Sequence, residues 1–350
     1  AGNQLPYIDK ITHELVQDPE MINMKAVQGD IDMQMRNIRL QNYTLLMENR
    51  DKGNYRVFKW TTANGADFML EPNQNVKDPV LKKLFQDRKF RFALSLAINR
   101  EEINQLVFLG LGKPRQASLI SASPYYDPLW EKAYAEYNPK KANQLLDELG
   151  LTKRDKDGYR LRPDGKTLAL TIEFAVNPTS SDASELVKKY WEAIGLKVDI
   201  KQHERSLMYT KTLAGDFEVT TWSMDRAFQP ISDPLYLIPY RQEIGTWHPL
   251  YALWYMSGGK SGEEPPGVVR QLQKIWDVIK VTTDSEGRKR LFSQITKIHR
   301  ENIWMIGTVG ESPALVVVKN NFRNVPEKLV SDDILRSPGN AQPQIFFFKK

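Results

Sequence analysis

The chain contains no cysteine, which excludes disulfide bonds, thiolate metal sites and a cysteine nucleophile. No apolar run approaches the roughly 18 residues needed to cross a bilayer. A Gly-x-Ser-x-Gly nucleophile elbow is absent too. Histidine is scarce and widely spaced, without an HExxH motif or another close ligand spacing. We therefore expect no metal and no cofactor, and we expect the histidines at surface or packing positions: His13, His203, His248 and His299.

Charge of one sign is also not concentrated in the chain. The 350 residues include 49 basic and 43 acidic side chains, a net charge of +6. Basic residues do not alternate with aromatic residues along one stripe, so nucleic-acid binding is disfavoured. The apolar share of 41% is ordinary for a globular protein. The length allows two or three domains.

Residues 168–223 carry the clearest architectural pattern. Apolar residues alternate from Leu168 to Phe174, the period of a strand. A helical stripe runs from Ala183 to Ile194, and a second strand, a helix over 206–214 and a third strand over 217–223 follow. Short links between alternating strands and helices predict a parallel βαβαβ unit. The predicted fold class is therefore α/β.

Ligands of open parallel sheets bind beyond the carboxyl ends of the strands. The third strand of the unit ends in such a position, and a segment dense in Trp and Tyr follows it. Aromatic side chains there can form the wall of a ligand cleft, or they can form the core beneath a long loop. The candidate ligand-binding residues are Trp222, Ser223, Asp225, Asp233, Trp247, Tyr251 and Trp254.

Residues 87–114 predict a pair of amphipathic helices, the second capped by Asn99 and ended by Gly110. Their amino-acid sequence resembles a signature of the dipeptide/oligopeptide/nickel-binding family (family 5) of extracytoplasmic solute-binding proteins of ABC importers. The family phrase is approximately D-x-x-hydrophobic-R-x-A-L-x-x-A-I-[DN]-R. It is matched by Asp87, Arg91, Ala93, Leu94, Ala97, Ile98, Asn99 and Arg100.

A second passage, LPYIDKITHELVQDPEMINMKAVQGDID, resembles the same family and predicts a strand over Tyr7–Val16 and a helix from about Asp18 to Gly29. In the family this passage lies well inside the chain, and the resemblance extends to about residue 320. It implies a periplasmic-binding-protein-like fold (type II, two-lobed), with one complete lobe and part of the other. We expect residues 1–55 to be a remnant of the first lobe with hinge strands, 56–305 the second lobe, and 306–350 a return to the first lobe and a tail.

The resemblance implies capture of oligopeptides between two lobes and their delivery to an ABC permease in the membrane. Trp222 and Asp225 fit the family's Trp-x-x-Asp phrase, in which the Asp pairs with the peptide's α-ammonium, and Asp233 resembles the Asp-Pro that follows. The alternative role for Asp225 is that of a turn residue. We expect a monomer in the periplasm or another extracytoplasmic location, with a lipid anchor in a Gram-positive source. Without the upstream lobe we expect weak ligand binding or none.

Other functions stay open from the sequence. An oligosaccharide could stack on Trp222, Trp247 or Trp254. A hydrolase acting on such ligands, or an interaction module without a small ligand, belongs to another class. Paired carboxylates, which a hydrolase could use, are adjacent in the chain and expected to be solvated: Glu263-Glu264 and Asp332-Asp333.

Overall fold

Two β-sheets and a short β-ribbon organise the chain in the computed structural model, which describes residues 4–176 and 178–349. Their strands are β1 (Met33–Gln34), β2 (Tyr55–Thr62), β3 (Phe68–Pro72), β4 (Lys113–Pro114), β5 (Ala169–Ala175), β6 (Lys197–His203), β7 (Val219–Trp222), β8 (Ile306–Gly310), β9 (Pro313–Lys319), β10 (Phe322–Arg323), β11 (Val330–Ser331) and β12 (Phe347–Phe348).

The helices cover the sheets and supply much of the core. They are α1 (Pro19–Gln28), α2 (Tyr43–Asn49), α3 (Pro79–Gln86), α4 (Arg88–Leu96), α5 (Arg100–Val107), α6 (Pro128–Lys132), α7 (Pro139–Glu148), α8 (Pro178–Ala193), α9 (Arg205–Leu213), α10 (Pro249–Met256), α11 (Gly267–Val281) and α12 (Ser285–Asn302). Many begin at an Asp or Asn whose side chain accepts a hydrogen bond from the first turn, as Asn99 does from the Glu102 N–H at 3.1 Å. Within the described residues, no helix is both long and apolar enough to pass through a bilayer.

The predicted βαβαβ unit is confirmed. It forms part of a six-stranded sheet with the order β4-β8-β3-β7-β5-β6. Strand β5 pairs in parallel with both β6 and β7, and α8 and α9 make the connections. The largest apolar core of the described residues lies between this sheet and its helices.

The second sheet has four strands in the order β1-β9-β2-β11. The chain passes from this sheet to the six-stranded one between Thr62 and Phe68, and it returns between Gly310 and Pro313. The two crossovers are bonded to each other, because Glu311 N–H donates to the Asn64 carbonyl at 2.9 Å. The chain therefore changes sheet at residues 63–67 and 311–312. The domain boundaries expected at 55/56 and 305/306 stay a prediction.

Two sequence-based expectations of local structure are wrong. Residues 7–16 form no strand. The aromatic segment is not a loop, since residues Pro249–Met256 form helix α10. Tyr7 instead donates its N–H to the Gln344 carbonyl at 3.2 Å, outside any strand. The Pro at the start of α10 occupies a favourable first helical position.

Candidate ligand-binding site

The chain that leaves β7 runs along the first crossover. Met224 donates its N–H to the Ala66 carbonyl at 2.8 Å, and Gly65 donates to the Met224 carbonyl at 2.8 Å. Ala227 donates to the Ala63 carbonyl at 2.9 Å. These bonds fix residues 224–227 against the segment that joins the two sheets, so the side chains between them lie at the junction.

Strand β11 brings a second segment to the same junction. It pairs in parallel with the end of β2, and Ala63 donates its N–H to the Ser331 carbonyl at 2.8 Å. Asp332 and Asp333 follow directly. Two chain segments, one from each sheet, are thus bonded to the crossover.

Arg226 connects these two segments. Its guanidinium forms ion pairs with Asp225, with Asp233 at 3.1 Å and with Asp333 at 3.5 Å. Asp233 also accepts hydrogen bonds from Arg241 at 2.9 Å and from the Tyr240 hydroxyl at 2.5 Å. We call Asp225, Arg226, Asp233, Arg241, Asp332 and Asp333 the strand-end cluster.

Burial perturbs the acids of the strand-end cluster. It raises the pKa of Asp225 to about 6, although Arg226 and a hydrogen bond from Tyr236 oppose that rise. Burial likewise raises the pKa of Asp332. Asp332 is only 5% exposed, so the expectation that Asp332-Asp333 is solvated is wrong for its first member. A buried carboxylate tends to recruit a cation.

Trp222 is the last residue of β7, the strand that precedes Asp225 and Arg226. Its ring is partly buried beneath the Arg205 guanidinium, 5.5 Å from the ring centre. A Cβ on Gly245 would lie 2.6 Å from the ring, so Gly245, at φ +67, permits a close approach that no other residue would allow. Ser223 follows β7 and is partly buried. Trp222, Ser223 and Asp225 therefore emerge from one strand end, as predicted from the sequence.

The other aromatic candidates lie elsewhere. Trp247 is fully buried and stacks on Trp304, with 4.7 Å between the ring centres. Tyr251 is also fully buried, and its hydroxyl accepts a hydrogen bond from Gln86 at 2.9 Å. The Arg270 guanidinium lies over the Trp254 ring at 4.7 Å. The burial of Trp247 and Tyr251 favours the alternative interpretation, in which these aromatic residues form the core.

Sequence reasoning did not select Arg226, Arg241, Tyr236 or Tyr240 as site residues. Arg226 could have been found from the sequence, because it directly follows Asp225 beyond the end of a predicted strand. An opposite charge next to a candidate carboxylate is a candidate ion-pair partner. Asp332 and Asp333 gave no such signal, because a tight pairing of β11 with β2 brings them to the junction. Among the residues that the structure describes, no three His, Asp or Glu side chains are arranged to hold a metal ion.

Residues 2–245 match the family described as bacterial extracellular solute-binding proteins, family 5 Middle. The chain belongs to this family. The match covers most of the chain, including the signature helices and the residues from the end of β7 to Gly245. It confirms the membership that residues 87–100 indicated.

Individual relatives agree with that assignment. A solved structure of an oligopeptide-binding protein OppA is 49% identical to this chain and has a TM-score of 0.81. The match covers 100% of this chain and 58% of the OppA chain. A probable ABC transporter-binding protein of Deinococcus radiodurans is 28% identical over 203 residues, which are 57% of this chain and 34% of the relative. A periplasmic alpha-galactoside-binding protein of Rhizobium meliloti is 23% identical over 348 residues, covering 93% of this chain and 48% of the relative.

The structural match confirms the α/β, periplasmic-binding-protein-like fold. The same comparisons give the proportion of each relative that is matched. The chain spans 34%, 48% and 58% of the three relatives' own lengths.

Proposed function

We propose that this chain is part of the extracytoplasmic solute-binding component of an ABC importer, which captures oligopeptides between two lobes and delivers them to a membrane permease. The 49% identity to an oligopeptide-binding protein supports the ligand class. The observation that carries the proposal is the position of Asp225, a partly buried carboxylate at the junction of the two sheets. We place the protein outside the cytoplasm, as a monomer, with a lipid anchor in a Gram-positive source.

A peptide's α-ammonium is a suitable partner for this carboxylate. A charge-assisted hydrogen bond in a partly buried site is stronger than one in water. Closure of two lobes requires that the ligand interact better with the closed form than with the open form. A carboxylate fixed at the junction meets that requirement, because a ligand bound there contacts groups from both sheets.

An α-galactoside is the second candidate, since the relative that binds such a sugar matches 93% of this chain. Sugar binding favours exposed aromatic faces. Of the three tryptophans considered for stacking, Trp247 is buried and Trp254 lies beneath Arg270. Trp222 keeps part of its surface but carries Arg205 on its ring. The aromatic arrangement therefore favours the peptide.

Calorimetry on the full-length protein tests the proposal with alanine peptides of three to six residues, each with a free or an N-acetylated amino terminus, and with raffinose. We expect the free-amine peptides to bind, and Asp225→Asn to weaken them at least tenfold. Asp216→Asn is the matched control, because Asp216 pairs with Lys77 at the surface. Binding of raffinose without peptide binding would favour the sugar. Cleaved peptide, seen by mass spectrometry, would show a hydrolase; we propose that the protein is not an enzyme.

A further inference from the structure

Asp225 already has a cationic partner within the chain. Arg226 donates from one guanidinium nitrogen to Asp225, and its side chain is 19% exposed. A ligand's ammonium that binds Asp225 must therefore compete with, or displace, this guanidinium. The identity of residue 226 then affects which ligands are selected.

The position of the guanidinium is imposed by the backbone. Arg226 adopts φ +63, in the left-handed region, which is unfavourable for a residue with a Cβ. The hydrogen bonds of Met224 and Ala227 with the crossover hold it there. Such over-determined strain is a frequent feature of ligand sites. The backbone at residue 226 is therefore held at the junction, where the Arg226 side chain contacts the acids of the strand-end cluster.

Carboxylates outnumber cations around Arg226. Three of them, Asp225, Asp233 and Asp333, pair with it. A fourth, Asp332, is buried within the range of its charge, and the Oδ2 atom of Asp332 has no hydrogen-bond partner among the described residues. A guanidinium that leaves Asp225 would therefore keep ion pairs with Asp233 and Asp333. The excess of negative charge also favours arrival of a second cation.

We propose that Arg226 is an internal substitute for the ligand's cation: its guanidinium neutralises Asp225 until a ligand's α-ammonium displaces it, and Arg226 then remains paired with Asp233 and Asp333. This inference rests on the proposed function and specifies its ligand class as solutes with a primary ammonium group. A neutral solute gains nothing at Asp225 that would offset loss of the Arg226 ion pair. Neutral ligands therefore leave the ion pair of Arg226 with Asp225 in place.

The exchange also links ligand binding to the second sheet. Asp333 follows β11, which belongs to the four-stranded sheet, whereas Arg226 follows β7 of the six-stranded sheet. When the ligand takes Asp225, the released guanidinium is free to shorten its 3.5 Å distance to Asp333, and the attraction between the two charges grows as that distance falls. Occupancy at one sheet would thereby stabilise an ion pair between the sheets.

Calorimetry on the full-length Arg226→Gln variant tests the exchange, using the alanine peptides described above at pH 7.5. Removing the internal cation should raise the affinity for free-amine peptides about tenfold, equivalent to about 1.4 kcal/mol, and leave acetylated peptides unchanged. Arg300→Gln is the matched control. It removes a guanidinium of similar exposure, 26%, that pairs with Asp127 at 3.2 Å outside the strand-end cluster, so we expect less than a twofold change.

A second variant keeps the test decisive if Arg226→Gln does not fold. Asp333 is 58% exposed, so Asp333→Asn should fold. It removes a carboxylate that retains the displaced guanidinium, and affinity for free-amine peptides should fall about threefold with acetylated peptides unaffected. Unchanged or opposite shifts, with peptide still bound by the wild type, would overturn the exchange alone. Failure of every alanine peptide to bind the wild type would overturn the proposed function, and the exchange with it.

Discussion

Arginine plays different parts in two regions of this molecule. In the signature helices, Arg91 and Arg100 are fully buried and donate to uncharged oxygens. Arg91 bonds the carbonyls of Phe85 and Asn302 at 2.6 and 2.9 Å. In the strand-end cluster, Arg226 and Arg241 pair instead with carboxylates and keep some exposure.

The difference separates a scaffold from the candidate site. Burial lowers the pKa of Arg91 and Arg100 to about 9, because it removes water from the charged guanidinium and the nearby acids, Asp87 and Glu136, offset only part of that loss. The carboxylates around Arg226 raise its pKa. Carbonyl oxygens that already accept hydrogen bonds from a buried guanidinium are not available to bind a ligand. Carboxylates in excess of their cations still attract a cation.

The largest effect is expected in the scaffold. Arg100 donates to the carbonyls of Gly307, Ser95 and Ala135 at 2.9–3.0 Å. Arg100→Ala would leave these buried oxygens without a donor and lower the free energy of unfolding by about 4 kcal/mol, as measured by urea denaturation. Arg88→Ala, an exposed change in the preceding helix, should cost less than about 0.5 kcal/mol. Equal losses would remove the contrast.

A steric change at the strand end ranks second. Gly245→Ala places a Cβ at 2.6 Å from the Trp222 ring and at an unfavourable φ of +67. We expect a loss of about 2–3 kcal/mol, combining backbone strain with overpacking, and a shift of Trp222 fluorescence. Gly158→Ala is the matched control, because its φ is +88 and nothing lies within 4 Å. That variant should lose only about 1 kcal/mol without a spectral change.

A pH dependence should distinguish the two regions. The pKa of Asp225 rises from 3.8 to about 6 on folding, so its protonated form is favoured in the folded protein. The resulting stabilisation is complete below pH 3.8 and is lost as the pH rises through 6. Relative to Asp225→Asn, the wild type should lose about 1–2 kcal/mol of stability over this window, after a discount for its partial exposure.

Denaturation at several pH values between 3.5 and 7.5 measures that difference. The scaffold offers the internal control, since Arg91 and Arg100 do not titrate in this range. A difference between wild type and Asp225→Asn that stays constant with pH would contradict the shifted pKa.

The smallest effect is expected at the edge of the cluster. The side chain of Arg241 is 30% exposed, and its ion pairs with Asp233 and Glu243 are both 2.9 Å long. Partly exposed pairs contribute little, so Arg241→Gln should lower the free energy of unfolding by about 1 kcal/mol or less. A loss as large as that of Arg100→Ala would show that the cluster also acts as a scaffold.

Local patterns were sufficient for much of the fold. The cap at Asn99, the helical stripes around it and the strands of the βαβαβ unit all follow from spacing within a few residues. The same reasoning placed Trp222, Ser223 and Asp225 at one strand end. It did not find helix α10, because its dense aromatic residues carry no clear periodic pattern.

The site was harder to predict than the fold. Trp247 and Trp222 look equivalent in sequence, yet one stacks on Trp304 in the core and the other keeps an exposed part. Asp332 looks like a solvated acid, yet it is buried beside Arg226. Burial depends on residues that arrive from other parts of the chain, and no local pattern records them.

The sequence by itself determined the fold class, the family and the strand end that carries Asp225, because backbone periodicity and short-range capping depend on neighbouring residues. Only the tertiary structure decided which cation neutralises Asp225 and which carboxylates share Arg226. Those partners meet because two crossovers join the sheets and bring β7 and β11 to one junction. Electrostatic energy depends on distance in space, and distance along the chain does not determine it.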